Sequence, residues 1–99
     1  MTENMVERHV TFEVYPEKVV EFEKFFIDHY RPAMSKMPGF IRVELLAEHE
    51  KINRYQMVIR FQSVEESAAW RSSSEHQTLA PRLKALYQDS EVEVYKVVA

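Results

Sequence analysis

Residues 6–37 read VERHVTFEVYPEKVVEFEKFFIDHYRPAMSKM and contain the change of period that decides the fold. Apolar and polar side chains alternate over residues 6–15, which predicts a strand covered on one side. Pro16 ends this strand and suits the first turn of a helix. Apolar residues then recur at steps of three and four over residues 17–37, which predicts an amphipathic helix. Pro32 lies inside this pattern, so a kink or break is expected just before it.

The rest of the chain alternates between the same two patterns. Residues 40–47 and 54–62 are predicted to be strands, and the polar stretch between them is predicted to be a hairpin loop. A capping signature, a serine with glutamate three places on, opens a second helical region over residues 63–88. Breaks are expected there at the serine triplet and near Pro81. Residues 91–98 alternate again and are predicted to be the last strand.

The resulting order, βαββαβ, predicts an α+β, ferredoxin-like fold. Right-handed crossovers place two helices on one face of a four-stranded antiparallel sheet. The opposite face would carry polar residues with both signs of charge, namely His9, Thr11, Glu13, Arg42, Glu44, Gln56, Arg60, Glu91 and Glu93. Contact with the same face of a second copy would explain this list and would protect the edge strands, so a homodimer is predicted. A face exposed to solvent explains the list as well.

Composition bounds the class of protein. The 99 residues suffice for a single domain, residues 1–99. A net charge of -3 argues against a general nucleic-acid binder. No apolar run approaches the ~20 residues that cross a bilayer, and residues 1–4 do not resemble a signal peptide, so a cytoplasmic protein without membrane contact is expected. The lack of cysteine excludes thiolate chemistry, and a single glycine, Gly39, argues against glycine-rich nucleotide loops.

Two groups of polar residues have the composition of a possible site. The histidines (His9, His29, His49 and His76) include no pair at metal-binding helical spacing, so no protein-built metal site is predicted. Residues 72–76 contain the serine, acid and base of a nucleophilic site. However, neighbours in a helix point in different directions, and the preferred interpretation is a serine N-cap with Glu75 as its partner.

Trp70 is the one tryptophan, on the second helical region beside two alanines. It is predicted to lie over the apolar side of the sheet, as core or as the wall of a pocket. Other residues could line the same space, with the His76 imidazole near its mouth: Tyr30, Tyr55, Tyr87 and Met57. Such a pocket suits a small aromatic or apolar ligand.

One stretch resembles a known family. Residues 61–70, FQSVEESAAW, followed by serine, Glu75 and His76, resemble the antibiotic biosynthesis monooxygenase (ABM) family, as does the Pro38-Gly39-Phe40 turn. The resemblance implies a dimeric α/β barrel. It also implies a cofactor-independent monooxygenase, because members oxidise polycyclic phenols to quinones with dioxygen and without metal or flavin.

The resemblance also implies roles for particular residues. Trp70 and His76 are the expected catalytic residues, with His76 assisting deprotonation of a small aromatic or quinol-type substrate. The expected substrate-binding residues are Tyr30, Tyr55, Met57 and Phe12. The alternative is a non-catalytic ligand-binding or stress-associated barrel protein.

Another branch of the family degrades haem, and only part of its pattern is present. Trp70 matches the tryptophan of that branch. Phe12 stands where the branch has asparagine on the first strand, and Ala80 stands where it has its histidine ligand. Haem degradation is therefore the less favoured function, and no cofactor is expected.

Overall fold

The structure, a computed structural model, describes residues 5–99 and has the predicted order of strands and helices. The strands are β1 (Val6–Val14), β2 (Phe40–Ala47), β3 (Arg54–Phe61) and β4 (Tyr87–Lys96). The helices are α1 (Val19–Phe25), α2 (Arg31–Ser35), α3 (Val64–Ser72) and α4 (Ser74–Lys84). A 3₁₀ turn (Pro16–Lys18) precedes α1, and a π-helical turn (Phe26–Tyr30) joins α1 to α2.

All strand pairs are antiparallel, in the order β2-β3-β1-β4. This confirms the predicted ferredoxin-like sheet. One face packs against the helices, which form a single layer over it; Phe12 and Met57 from the sheet join Phe22, Met34 and Trp70 from the helical layer in one buried cluster. No helix within residues 5–99 has both the length and the apolar character needed to cross a membrane.

The predicted irregularity before Pro32 is the π-helical turn. The Arg31 amide donates to the Phe26 carbonyl, a bond that spans five residues instead of four. Pro32 has no amide hydrogen to give and occupies the first turn of α2, where helices do not need that donor.

The second helical region is broken once, at the serine triplet. Ser73 lies between α3 and α4 in extended backbone, and its Oγ accepts a hydrogen bond of 3.1 Å from the His76 amide. Ser73 is thus the N-cap, with His76 in the place expected for Glu75. The predicted break near Pro81 is wrong, since α4 continues through it. Pro81 and Gln77 are both exposed, so the carbonyl left without a helical donor can be hydrated by solvent.

β4 begins earlier than predicted. It starts at Tyr87 instead of residue 91, because Ser90 and Asp89 pair with Phe12 and Glu13 of β1. A register shift follows in β1 between Glu13 and Val14. The polar residues at this end gave no sign of a strand; pairing with β1 overrides their weak strand propensity.

The face of the sheet away from the helices, called here the outer face, carries a connected set of charges. The Glu7 carboxylate lies 2.7 Å from Arg60, 2.7 Å from His9 and 3.3 Å from Arg42. Arg42 in turn lies 2.8 Å from Glu44. The hydrogen bond from His9, followed by the attraction of Arg60, lowers the pKa of Glu7 against an opposing effect of burial. The charges around Glu7 are therefore paired with one another, whereas Glu91 and Glu93 on β4 form no ion pair within residues 5–99.

Candidate active site

A cavity of about 200 Å³ lies between the helical layer and the sheet. Strands β1, β3 and β4 form its floor, and α3, α4 and the π-helical turn form its walls. Most of the floor is apolar, with Val10, Ile59 and Val92 contributing to it alongside two residues that the sequence assigned to substrate binding. A space of this size accommodates a small aromatic molecule.

Trp70 forms both core and cavity wall. Its side chain is 2% exposed and belongs to the main apolar cluster, yet it also lines the cavity. The Tyr30 ring meets the indole edge-on at 5.5 Å and 82°, and the His76 ring does so at 5.1 Å and 81°. These edge-on contacts are a favourable geometry for aromatic rings. The two interpretations left open by the sequence thus describe the same residue.

His76 is held at the cavity by the first turn of α4. Ser73 caps that turn through the His76 amide, which fixes where the imidazole leaves the backbone. Burial, and after it the positive charge of Arg71, lower the pKa of His76 below its ordinary value. The imidazole is therefore neutral at neutral pH and able to accept a proton.

Tyr30 reaches the same cavity from the π-helical turn. Its ring is 7% exposed and lies 6.2 Å from the His76 ring. Burial raises the pKa of Tyr30 to about 12. The phenol accordingly keeps its proton at neutral pH and is available as a hydrogen-bond donor.

The structure brings five of the six predicted site residues to this cavity, namely Phe12, Tyr30, Met57, Trp70 and His76. Tyr55 does not line it. Its ring packs against Phe22 at 5.2 Å, and its hydroxyl donates a hydrogen bond of 2.5 Å to the Glu23 carboxylate. Phe22 also packs against Phe12, the residue of β1 that pairs with Tyr55. Tyr87, named in the sequence as a further lining residue, is present.

Sequence reasoning missed four polar residues of the cavity, Arg8, Ser67, Arg71 and Ser90. Arg8 is in phase with Val10 and Phe12 on β1, so its position on the helix-facing side follows from the period of two. Arg71 follows Trp70, and its Nη1 donates a hydrogen bond of 2.8 Å to the hydroxyl of Ser67. A charged residue in the middle of an apolar strand face was the signal that could have found Arg8.

The other histidines lie elsewhere. His9 bonds to Glu7 on the outer face, His29 packs beside Phe25, and His49 is exposed in the loop between β2 and β3. Across the part of the chain that the structure describes, no group of three or more acidic, histidine or cysteine side chains is arranged to hold a metal ion.

Of two comparisons with known sequences, one gives a match. The sequence model of the family described as "Antibiotic biosynthesis monooxygenase" matches residues 5–82. No curated protein matches the sequence significantly.

Two solved structures illustrate how similar the fold is. A mutant form of SnoaB, a cofactor-independent oxygenase from Streptomyces nogalater, is 24% identical in sequence and has a TM-score of 0.86. The alignment covers 97% of this chain and 95% of the SnoaB chain. A conserved protein from Methanosarcina mazei is 18% identical in sequence and has a TM-score of 0.89, and the alignment covers 98% of this chain and 96% of that protein. At these identities the likeness establishes the fold.

Proposed function

This chain belongs to the antibiotic biosynthesis monooxygenase family, and we propose that it is a cofactor-independent monooxygenase acting on a small aromatic or quinol-type substrate. The observation that carries the proposal is the position of His76. Its imidazole has a lowered pKa and stands edge-on to Trp70 beside a mostly apolar cavity. The fold shared with SnoaB, a cofactor-independent oxygenase, supports the same chemistry.

The reaction needs a base and a shielded aromatic anion. The imidazole of His76 accepts a proton from the substrate, whose anion then gives electrons to dioxygen. A carbon–oxygen bond forms, the oxygen–oxygen bond of the resulting hydroperoxide breaks, and two hydrogens of the substrate leave in water. For an anthrone, one molecule of dioxygen thus gives one molecule of anthraquinone and one of water. Trp70 provides a flat wall for the ring, and Tyr30 donates a hydrogen bond to a ring oxygen.

Oxygen uptake with a panel of anthrones, naphthols and hydroquinones tests the proposal. With an anthrone in ¹⁸O₂, we expect protein-dependent formation of the quinone with one labelled oxygen per molecule. Simple autoxidation of a hydroquinone would instead release hydrogen peroxide and leave the quinone unlabelled. Lack of labelled product across the panel would overturn the proposal.

A second candidate is a non-catalytic ligand-binding protein of the same fold. Phe12 favours it, because this buried apolar ring lies in the cavity floor at the first-strand position where a related branch carries a polar side chain. A metabolite that stays bound in native mass spectrometry, without labelled product in ¹⁸O₂, would decide for this alternative.

We also propose that the protein forms a homodimer through its outer face. Leu46 and Tyr95 on that face are 48% and 44% exposed, and Tyr95 packs against His9 at 4.8 Å. The paired charges around Glu7 can be covered without leaving a single charge unpaired, which is the main cost of burying such groups. Covering this side would also protect the edge strands β2 and β4.

Sedimentation in the analytical ultracentrifuge measures the oligomeric state directly. We expect twice the mass of the chain at micromolar concentration. Arg60→Glu should shift the equilibrium towards monomer, because it places a second carboxylate against Glu7. Lys84→Glu, an equal change of charge on the exposed end of α4, should leave the dimer intact. A monomer in the unmodified protein would contradict the proposal.

A further inference from the structure

The arginines of the chain fall into two groups. Five of the seven lie within ion-pair distance of a carboxylate or over an aromatic ring: Arg31, Arg42, Arg54, Arg60 and Arg82. The other two, Arg8 and Arg71, both line the cavity beside Trp70. Neither forms an ion pair with a carboxylate among residues 5–99.

Arg8 is a charged residue at a position of the sheet where an apolar residue is usual. It lies on the helix-facing side of β1, in phase with Val10 and Phe12, and is half-buried. Burial, and after it the like charge of Arg71, lower the pKa of Arg8. Both effects oppose keeping this guanidinium charged, and no carboxylate of the described chain offsets them.

Arg71 is held in place from one side only. Its Nη1 donates to the Ser67 hydroxyl at 2.8 Å and to the Ser67 carbonyl at 3.3 Å, one helical turn earlier on α3. Ser67 is itself 4% exposed, so this anchor is buried. The remaining nitrogens of the guanidinium donate to no residue within 5–99. They are donors in a fixed planar arrangement that suits an oxyanion.

These two cations share their cavity with the aromatic and basic groups of the proposed reaction. The charge of Arg71 and, to a smaller degree, that of Arg8 reach His76, where both lower the pKa of the imidazole. Trp70 and Tyr30 supply the flat aromatic side of the same space. The chain as a whole has a net charge of -3, so the positive cavity contrasts with the rest of the molecule.

We propose that the cavity takes a flat aromatic ligand that carries an oxyanion, and that Arg8 and Arg71 bind this group while the ring lies against Trp70. The inference rests on the proposed function, since it names the substrate class of the same cavity. The oxyanion is a carboxylate substituent or the ionised phenol of the ring itself; both present delocalised negative oxygen to the guanidinium donors. Bound there, it supplies the partner that the two arginines lack in the chain.

Calorimetric titration with three matched ligands tests the proposal at equilibrium, without turnover. The probes are 2-naphthoate, its neutral amide 2-naphthamide, and a nitro-substituted naphthol that is ionised at neutral pH. Because hydrogen bonds to charged groups are strong, we expect naphthoate to bind about tenfold or more tightly than the amide. Tight binding of the ionised naphthol with weaker naphthoate would assign the arginines to the phenolate; the reverse would assign them to a carboxylate.

Substitutions of the two arginines test whether they cause the preference for the anionic ligand. Arg8→Gln and Arg71→Gln should each weaken naphthoate binding about tenfold and change amide binding by less than about threefold. Lys84→Gln removes the same charge from an exposed position on α4 and should change neither. Arg8→Lys keeps the charge and serves where Arg8→Gln fails to fold; it should retain part of the preference for the anion.

Several results would overturn the inference. They are binding of both naphthoate and the ionised naphthol no tighter than binding of naphthamide by the unmodified protein, no binding of any of the three ligands at millimolar concentration, or an equal loss in Lys84→Gln. Oxygen uptake on the panel of anthrones, naphthols and hydroquinones separates the two proposals. Anion preference without labelled product would remove the monooxygenase and keep the anion site. Turnover of neutral substrates that neither arginine variant changes would remove the anion site and keep the monooxygenase.

Discussion

Replacement of Trp70 with alanine is expected to lower the free energy of unfolding by about 3–5 kcal/mol. The indole is 2% exposed and contacts two other rings, Tyr30 and His76, so its removal leaves a void that the surrounding backbone can fill only in part. Trp70→Phe keeps a ring in the wall and should cost less, about 1–2 kcal/mol. Urea unfolding followed by far-ultraviolet circular dichroism, at one fixed protein concentration, measures both.

A matched control lies on the same helix. Val64 is 59% exposed at the start of α3, so Val64→Ala should change the free energy of unfolding by less than about 0.5 kcal/mol. A loss below about 1 kcal/mol for Trp70→Ala would contradict its place in the core. Trp70→Phe also separates the two parts that Trp70 plays, because it should retain most of the ligand binding that Trp70→Ala loses.

His76→Ala should reduce kcat for oxygen uptake by about 10²–10⁴-fold, the usual contribution of a positioned base. His49→Ala removes an exposed histidine from the loop between β2 and β3 and should leave kcat unchanged. If the two variants behaved alike, His76 would not be the base.

The pH profile gives the same prediction a second measurement. A base works when it is unprotonated, so the rate of the unmodified protein should fall as pH drops through the pKa of His76. Since burial and Arg71 lower that pKa, the fall should lie below the ordinary value of about 6.5. His76→Ala should lack this acid limb. Arg71→Gln removes a charge that lowers the pKa, and should move the limb to higher pH.

The sequence predicted the fold well because the evidence for it is distributed over many residues. The alternation in β1, β2 and β3 and the helical spacing after Pro16 each survive the loss of any one residue. β4 was placed too late because residues 87–90 are polar and are held as strand by pairing with β1. The break predicted at Pro81 is wrong because the destabilisation by a proline inside a helix depends on whether the carbonyl four residues earlier, here that of Gln77, is hydrated by water. The exposure of that carbonyl cannot be deduced from the sequence alone.

The cavity was predicted less completely, for a geometric reason. Met57 and Tyr55 point to the same side of β3, and Tyr55 pairs with Phe12, which lines the cavity. The Tyr55 ring packs instead against Phe22, and its hydroxyl donates to Glu23, contacts with α1 that the period of two in β3 does not give. The period of two places Arg8 on the helix-facing side of β1, but it does not show that a second cation lies beside it. Its significance appears only beside Arg71, which a different element brings to the same space.

The π-helical turn has a consequence for how the first helical region meets the sheet. Phe22, Phe26, Tyr30 and Met34 follow at intervals of four, and all are buried. In a regular α-helix each such step overshoots a full circle by about 40°, so the row would spiral about 120° around the axis. A turn that holds more residues per revolution takes up part of that drift. The π-helical turn therefore keeps the four side chains on one side of the helical region. Without it, Met34 would rotate out of the contact with the sheet, and the phenol of Tyr30 would rotate away from the indole of Trp70.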